Sequence, residues 1–70
     1  MAGQNQTSLR NLCIRKLWPM PVYNLVAATG GYLYNVVILG HAIVGDIHDT
    51  DFEAREAAAS NALLLYGDRL

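Results

Sequence analysis

The chain has 70 residues, which is enough for one structural unit. Its five basic and six acidic side chains give a net charge of −1, so no basic excess is available to hold a nucleic-acid backbone. A single cysteine excludes an internal disulfide framework, and with only two histidines it also excludes a zinc finger. Nucleophile triads, phosphate loops and nucleotide fingerprints are absent, and we therefore expect no enzyme, cofactor, metal site or small-molecule substrate.

The first segment, residues 1–19, is predicted to be a basic tail with one interfacial helix. Within Ser8–Leu17, one side of a helix would carry Leu9, Leu12, Cys13 and Leu17, and Arg10 and Lys16 lie elsewhere. This pattern indicates a short amphipathic helix in the lipid headgroup zone. A disordered tail is the alternative for so few residues.

The second segment, residues 20–45, is predicted to be a transmembrane helix. The 29 residues Leu17–Gly45 contain no Asp, Glu, Lys or Arg. Their central part, Val22–Val44, has 23 residues, and a helix needs about 20 to cross a bilayer. A buried helix of a globular protein is the alternative, but too few residues remain to surround it. If Val22–Val44 crosses the bilayer, Trp18 and Tyr23 lie at headgroup level, which both residue types favour.

The predicted transmembrane helix has two different sides. Small and amide-bearing residues fall on one side of a helical wheel, opposite the bulky aliphatic ones. Close packing and interhelical hydrogen bonds drive helix association in lipid, so we expect this side to contact a partner helix. The alternative is that these residues merely tolerate lipid. The predicted packing face consists of Asn24, Ala27, Ala28, Gly31, Asn35 and Ala42.

The third segment, residues 46–70, is predicted to be an acidic turn followed by a second amphipathic helix. Thr50 and Glu53 match the S/T-x-x-E capping box, and good helix formers follow as far as Gly67. We therefore predict a helix over Asp51–Tyr66. Basic residues are scarce here, which favours a protein over anionic lipid as its docking partner. Its predicted docking face consists of Phe52, Ala59, Leu63 and Tyr66.

His41 is the one candidate ligand for a cofactor. A histidine within a membrane can bind haem or a pigment, or relay protons, and Gly40 and Ala42 would leave room for a flat ring. It can equally form a hydrogen bond to a neighbouring helix. The acidic cluster that follows lacks the spacing of a calcium loop and is interpreted as a solvated turn.

Taken together, these segments predict an all-α protein with a single transmembrane helix between two amphipathic helices. This plan resembles the small single-pass accessory subunits of mitochondrial respiratory complexes. The resemblance implies a non-catalytic subunit that stabilises such a complex, first of all the NADH dehydrogenase (complex I). Other subunits and the lipid bilayer would be its partners. The alternatives are a pigment- or haem-binding subunit that uses His41, and a regulatory membrane micropeptide.

The charges flanking the predicted span indicate an orientation. Arg10, Arg15 and Lys16 precede it, and mainly acidic residues follow it. The positive-inside rule, together with the resemblance, predicts the mitochondrial inner membrane, with the N-terminus in the matrix and the C-terminus in the intermembrane space. A thylakoid or bacterial inner membrane is the alternative.

Overall fold

The computed structural model describes residues 3–67 as two helices and a three-stranded antiparallel sheet. The strand order is β1-β2-β3, so strands that follow one another in the chain are also neighbours in the sheet. Helix α2 packs across β2 and β3, and α1 packs against α2. In chain order the elements are α1 (Gln4–Lys16), β1 (Val22–Ala27), β2 (Leu33–Ile38), β3 (His41–Val44) and α2 (Asp51–Tyr66).

The prediction of an all-α protein with a transmembrane helix is wrong. Residues 20–45, predicted to form that helix, contain all three strands. In the described range, neither helix is long and apolar enough to cross a bilayer. The single-pass topology and the inner-membrane location inferred from it are therefore wrong as well, and the respiratory-chain assignment loses its basis. The outermost residues of the first and third predicted segments, 1–2 and 68–70, lie outside the described part.

Two turns divide the uncharged run into strands. Gly30 and Gly31 both have positive φ, 75° and 132°, between β1 and β2. Leu39 and Gly40, with φ of 52° and 82°, form a two-residue connection between β2 and β3. Positive φ at both central residues is the geometry of a tight type I′ hairpin. Valine, isoleucine and tyrosine are frequent in the strands, where β-branched and aromatic side chains are favoured.

The two helices cover one face of the sheet. Helix α2 contributes mainly alanines to the core, and their small side chains allow a close approach to the strands. At Gly45 a Cβ atom would lie 2.6 Å from the backbone nitrogen of Ala58, so only glycine fits this crossing. The buried core consists of Leu9, Leu12, Cys13, Val36, Ile38, Ile43, Ala58, Ala59 and Ala62.

Helix α2 begins and ends where the sequence predicts. The Thr50 hydroxyl accepts a hydrogen bond from the Glu53 amide at 3.1 Å, which satisfies one free donor of the first turn. At the other end the Gly67 amide donates to the Leu63 carbonyl at 2.7 Å. Gly67 has φ of −80°, so it ends the helix without adopting the left-handed conformation common at that position.

We expect Thr50→Ala to lower the free energy of unfolding by about 1 kcal/mol, because the Glu53 amide loses its acceptor. Urea denaturation followed by circular dichroism measures the change. Thr50→Ser is the control, since serine keeps the hydroxyl and should leave the midpoint within about 0.5 kcal/mol of the parent. Equal losses in both variants would contradict a capping role.

Helix α1 begins four residues earlier than predicted, at Gln4, and its N-terminus is capped from a distance. Gly3 precedes the helix and contributes no side-chain hydrogen bond. The Glu56 carboxylate of α2 instead accepts from the Asn5 amide at 2.9 Å and from the Gln6 amide at 2.8 Å. A Cβ atom on Gly3 would collide with this carboxylate. The contact therefore joins the two helices through a charged group at a helix N-terminus.

Candidate protein-docking surface

One face of the sheet is not covered by either helix. Side chains alternate between the two faces along each strand, and the aligned row Tyr23, Val36 and Ile43 points towards the helices. The neighbouring rows therefore point away from them. We call this second surface the open face; it consists of Val22, Asn24, Ala27, Leu33, Asn35, Val37, Ala42 and Val44.

The open face is apolar, uncharged and accessible. Val22 and Val44, on the two outer strands, are 55% and 51% exposed. Asn24 and Asn35 are its polar residues, and no charged side chain belongs to it. Single exposed apolar side chains are ordinary on protein surfaces, but a contiguous apolar patch usually marks a site of interaction. The open face is therefore the leading candidate for a docking surface.

The residues of the predicted helix-packing face are distributed over the sheet and its first turn. Asn24 and Asn35 lie opposite each other on β1 and β2, where Asn24 Nδ2 donates to Asn35 Oδ1 at 3.2 Å. Ala42 belongs to the same open face. Ala27 ends β1 opposite Leu33 and also belongs to this face, whereas Ala28 and Gly31 lie in the connection to β2. The structure thus brings four of the six residues onto one surface, which is a sheet rather than a helix.

The predicted docking face of α2 packs mainly on the chain's own core. Ala59 is fully buried, and Leu63 and Tyr66 pack against the core cluster. The Tyr66 ring also meets the Trp18 ring edge to face, with centroids 5.7 Å apart and an interplanar angle of 76°. Phe52 remains 43% exposed at the start of the helix. Most of the apolar side of α2 is thus occupied within the chain.

His41 is the first residue of β3, where it pairs with Ile38 and is exposed. Among residues 3–67, no group of three or more histidine, cysteine or acidic side chains is arranged to hold a metal ion. A ligand role for His41 stays a prediction. Cys13, in contrast, is fully buried, and burial raises the pKa of its thiol. The thiol therefore stays protonated at neutral pH, and we expect it to react slowly.

A polar cluster fixes the start of α2 against the sheet. The Tyr34 hydroxyl donates to Asp51 Oδ1 at 2.8 Å, and this bond raises the pKa of Tyr34. The Arg55 guanidinium lies 5.4 Å from the centre of the Tyr34 ring, in cation–π contact. These groups hold one another in place, and we assign them a structural role.

An open cleft of about 470 Å³ lies between the start of α1, β1 and the start of α2. Met20, Pro21, Tyr23 and Phe52 supply its apolar wall, and Arg10 lies among its polar lining residues. The Tyr23 hydroxyl is buried and has no hydrogen-bond partner among the described residues. Burial and the nearby Glu56 carboxylate raise the pKa of Tyr23 to about 12. An unsatisfied buried hydroxyl weakens the fold.

We expect Tyr23→Phe to raise the free energy of unfolding at pH 7 by about 1 kcal/mol, because the unpartnered hydroxyl is removed. The protonated phenol is favoured in the folded state. The stability that comes from this raised pKa is therefore fully present below about pH 10, the ordinary pKa of tyrosine. It is lost as the pH rises towards about 12, because ionisation of Tyr23 costs more in the folded state than in the unfolded chain. Urea denaturation at pH 7 and at pH 11 measures both effects. The phenylalanine variant should lose less stability than the parent between these two pH values; an equal loss would contradict this assignment.

A scan against models of protein families finds none that matches this chain, and a search of curated proteins finds no significant relative. Geometry and charge therefore carry the functional assignment. One feature of the sequence did indicate the docking surface. The absence of charge from Leu17–Gly45 predicted that this segment is shielded from water. Sequence reasoning missed that alternate residues of this run face opposite sides, so that half of them form one exposed surface.

Proposed function

We propose that this chain is a non-catalytic protein-binding module that holds a folded partner against its open face. The observation that carries this proposal is the absence of charge from Leu17–Gly45, the part of the chain that builds the whole sheet. Solubility favours frequent charges on an exposed surface, and sheet edges are normally protected by lysine or other charged residues. A partner that covers this surface would account for the missing charges.

Charge favours a protein over a nucleic acid as that partner. A nucleic-acid surface needs clustered lysine and arginine, and the open face has neither. Helix N-termini attract phosphate, but Asp51 and Glu53 place negative charge in the first turn of α2. We therefore expect no retardation of duplex RNA or DNA in a native gel at micromolar protein and low salt. Saturable retardation would contradict this part of the proposal.

Charge also disfavours a membrane surface. Binding to anionic lipid requires basic side chains around the apolar contact, and none belongs to the open face. The face combines aliphatic side chains with two amides, and this composition suits an apolar protein surface that has a few polar groups. The non-catalytic, accessory role predicted from the sequence thus stays as a proposal, with the sheet in place of a membrane helix.

Site-specific photo-crosslinking tests the proposal. A photoreactive phenylalanine analogue at Val37, in the middle of the open face, should give a discrete protein adduct when the chain is expressed in its native cells. The same analogue at Arg15, an exposed position of α1, serves as the control and should give none. Val37 lies on the central strand, flanked by Val22 and Ala42, so the probe reports on the centre of the face.

The identity of the adduct decides between outcomes. A defined polypeptide, recovered at Val37 and absent at Arg15, supports the module, whether it is a different protein or a second copy of this chain. Equal labelling at both positions, or no adduct at Val37, would overturn the proposal.

A further inference from the structure

β1 is an outer strand, and within residues 3–67 no other strand pairs with its outer edge. We propose that two copies of this chain pair antiparallel along β1, with a two-fold axis through Asn24, to form one continuous six-stranded sheet. This inference goes beyond the proposed function, because it assigns a second copy to the edge of the sheet and leaves the open face free for a different partner. Five of the six residues of β1 are exposed.

The hydrogen-bond pattern shows which backbone groups are available on β1. Gly45 donates from its amide to the Tyr34 carbonyl at 2.9 Å, so the backbone groups of Tyr34 point towards β3. The backbone amide and carbonyl groups of neighbouring residues in a strand point to opposite edges. The backbone groups of Asn35 therefore point towards β1. Asn24 pairs with Asn35, which leaves the amides and carbonyls of Tyr23 and Leu25 directed outwards. Outside the sheet, no loop or helix in residues 3–67 forms a backbone hydrogen bond with them.

The opposite edge of the sheet is partly closed. By the same alternation the Val44 carbonyl points out of β3, and the Asn61 side chain of α2 donates to it at 2.9 Å. The chain then continues beside β2, where Tyr32 and His48 exchange backbone hydrogen bonds of 2.7 and 3.0 Å. β3 is also the shorter outer strand, with four residues against six in β1. The β1 edge is therefore the better template for another strand.

The sequence of β1 is nearly symmetric about Asn24, with a valine two residues away on each side. Residues 22–26 read Val-Tyr-Asn-Leu-Val, and antiparallel pairing about Asn24 places Tyr23 opposite Leu25 of the second copy. The outward amides and carbonyls of these two residues would then form four intermolecular hydrogen bonds. Asn24 would lie opposite Asn24, and its interaction with Asn35 would extend into an amide ladder across four strands. One register therefore satisfies both backbone and side chains.

Two features limit the pairing to this register. Pro21 has no amide hydrogen, so it offers no donor at the next outward position. At the other end the β1–β2 register shifts between Leu25 and Ala27, which marks a bulge at Val26. Between them the edge offers the four outward groups of Tyr23 and Leu25 and no charge. On a charged edge, antiparallel pairing of two copies would place like charges opposite each other. The β1 edge has no charged side chain, so this repulsion does not arise.

Disulfide trapping tests the register in the full-length chain. In the proposed register, Asn24 and its copy form a pair that exchanges no backbone hydrogen bonds. The Cα atoms of such a pair lie about 4.5 Å apart, within reach of a disulfide. Asn24→Cys in a Cys13→Ala background, which keeps the buried site apolar, should therefore form a covalent dimer under mild oxidation. Asn35→Cys is the matched control: its copies would lie three strand spacings apart, roughly 14 Å, and should remain uncrosslinked.

Association without crosslinking is the second test. Sedimentation equilibrium of the parent chain should show a monomer–dimer equilibrium. Asn24→Asp should weaken it about tenfold or more, because two carboxylates then face each other at the axis. Asn35→Asp introduces the same charge about 14 Å from its copy, beyond the screening length at 0.15 M salt, and should leave the equilibrium within about twofold of the parent.

The two proposals fail separately. A parent chain that stays monomeric at every concentration, or equal trapping at Asn24 and Asn35, would overturn pairing through β1. A heterologous adduct at Val37 would then still support the binding module. Absence of both the dimer and any Val37 adduct would overturn both proposals.

Discussion

Replacing Leu9 by alanine is expected to lower the free energy of unfolding by about 2–5 kcal/mol. Leu9 is fully buried, and it packs among core residues of both helices and of β2. Truncation removes apolar contacts and leaves a cavity that a small core cannot refill. A domain of this size has only a few kcal/mol of stability in reserve, so much of the variant population should be unfolded at 37 °C.

Leu64→Ala is the matched control for this prediction. It is the same substitution in a helix, at a side chain that is 73% exposed, and should change the free energy by no more than about 0.5 kcal/mol. Urea denaturation compares the two variants. Labelling of buried Cys13 by a thiol reagent gives a second readout, and in Leu9→Ala its rate should rise about 30-fold or more. Equal effects of the two substitutions would contradict the assignment of Leu9 to the core.

Replacing Glu56 by alanine is expected to cost about 2–3 kcal/mol. Its carboxylate accepts from the amides of Asn5 and Gln6, which otherwise have no acceptor within the first turn of α1. Hydrogen bonds to a charged group contribute about 1.5–3 kcal/mol, and a negative charge at a helix N-terminus adds a favourable dipole interaction. Because Glu56 belongs to α2, the loss should loosen α1 from the rest of the fold.

Amide hydrogen exchange locates this effect. Protection should decrease first in the N-terminal half of α1, while the amides of β2 exchange only through global unfolding. Glu53→Ala is the control, since this exposed carboxylate lies on the same helix and its loss should cost less than about 1 kcal/mol. A larger effect of Glu53→Ala than of Glu56→Ala would refute the capping role.

The C-terminal half of the fold was predictable because its signals are local. Thr50 and Glu53 are three residues apart, and their hydrogen bond forms within one helical turn. The cap of α1 was not predictable in this way, because Glu56 is about fifty residues away from the amides that it accepts. No spacing rule within the first segment identifies such a partner.

The candidate surface was predicted in part, from the wrong secondary structure. Asn24 and Asn35 are eleven residues apart, about three helical turns, and therefore share one side of a hypothetical helix. The hairpin between β1 and β2 also places them opposite each other. The helical prediction consequently grouped these amides correctly. It was wrong about the bulky residues expected on the opposite side, because Val22, Leu33, Val37 and Val44 lie on the open face together with the amides.

By itself, the sequence determined the two helices approximately and showed that Leu17–Gly45 avoids charge. It did not determine what shields this run from water, because an apolar stretch meets the length rule for a membrane helix and equally suits a sheet. Tertiary structure decided the question: α1 and α2 bury one face of the strands, and the turns at Gly30–Gly31 and Leu39–Gly40 allow the strands to pair. Strand pairing depends on contacts between distant parts of the chain, which local periodicity does not record.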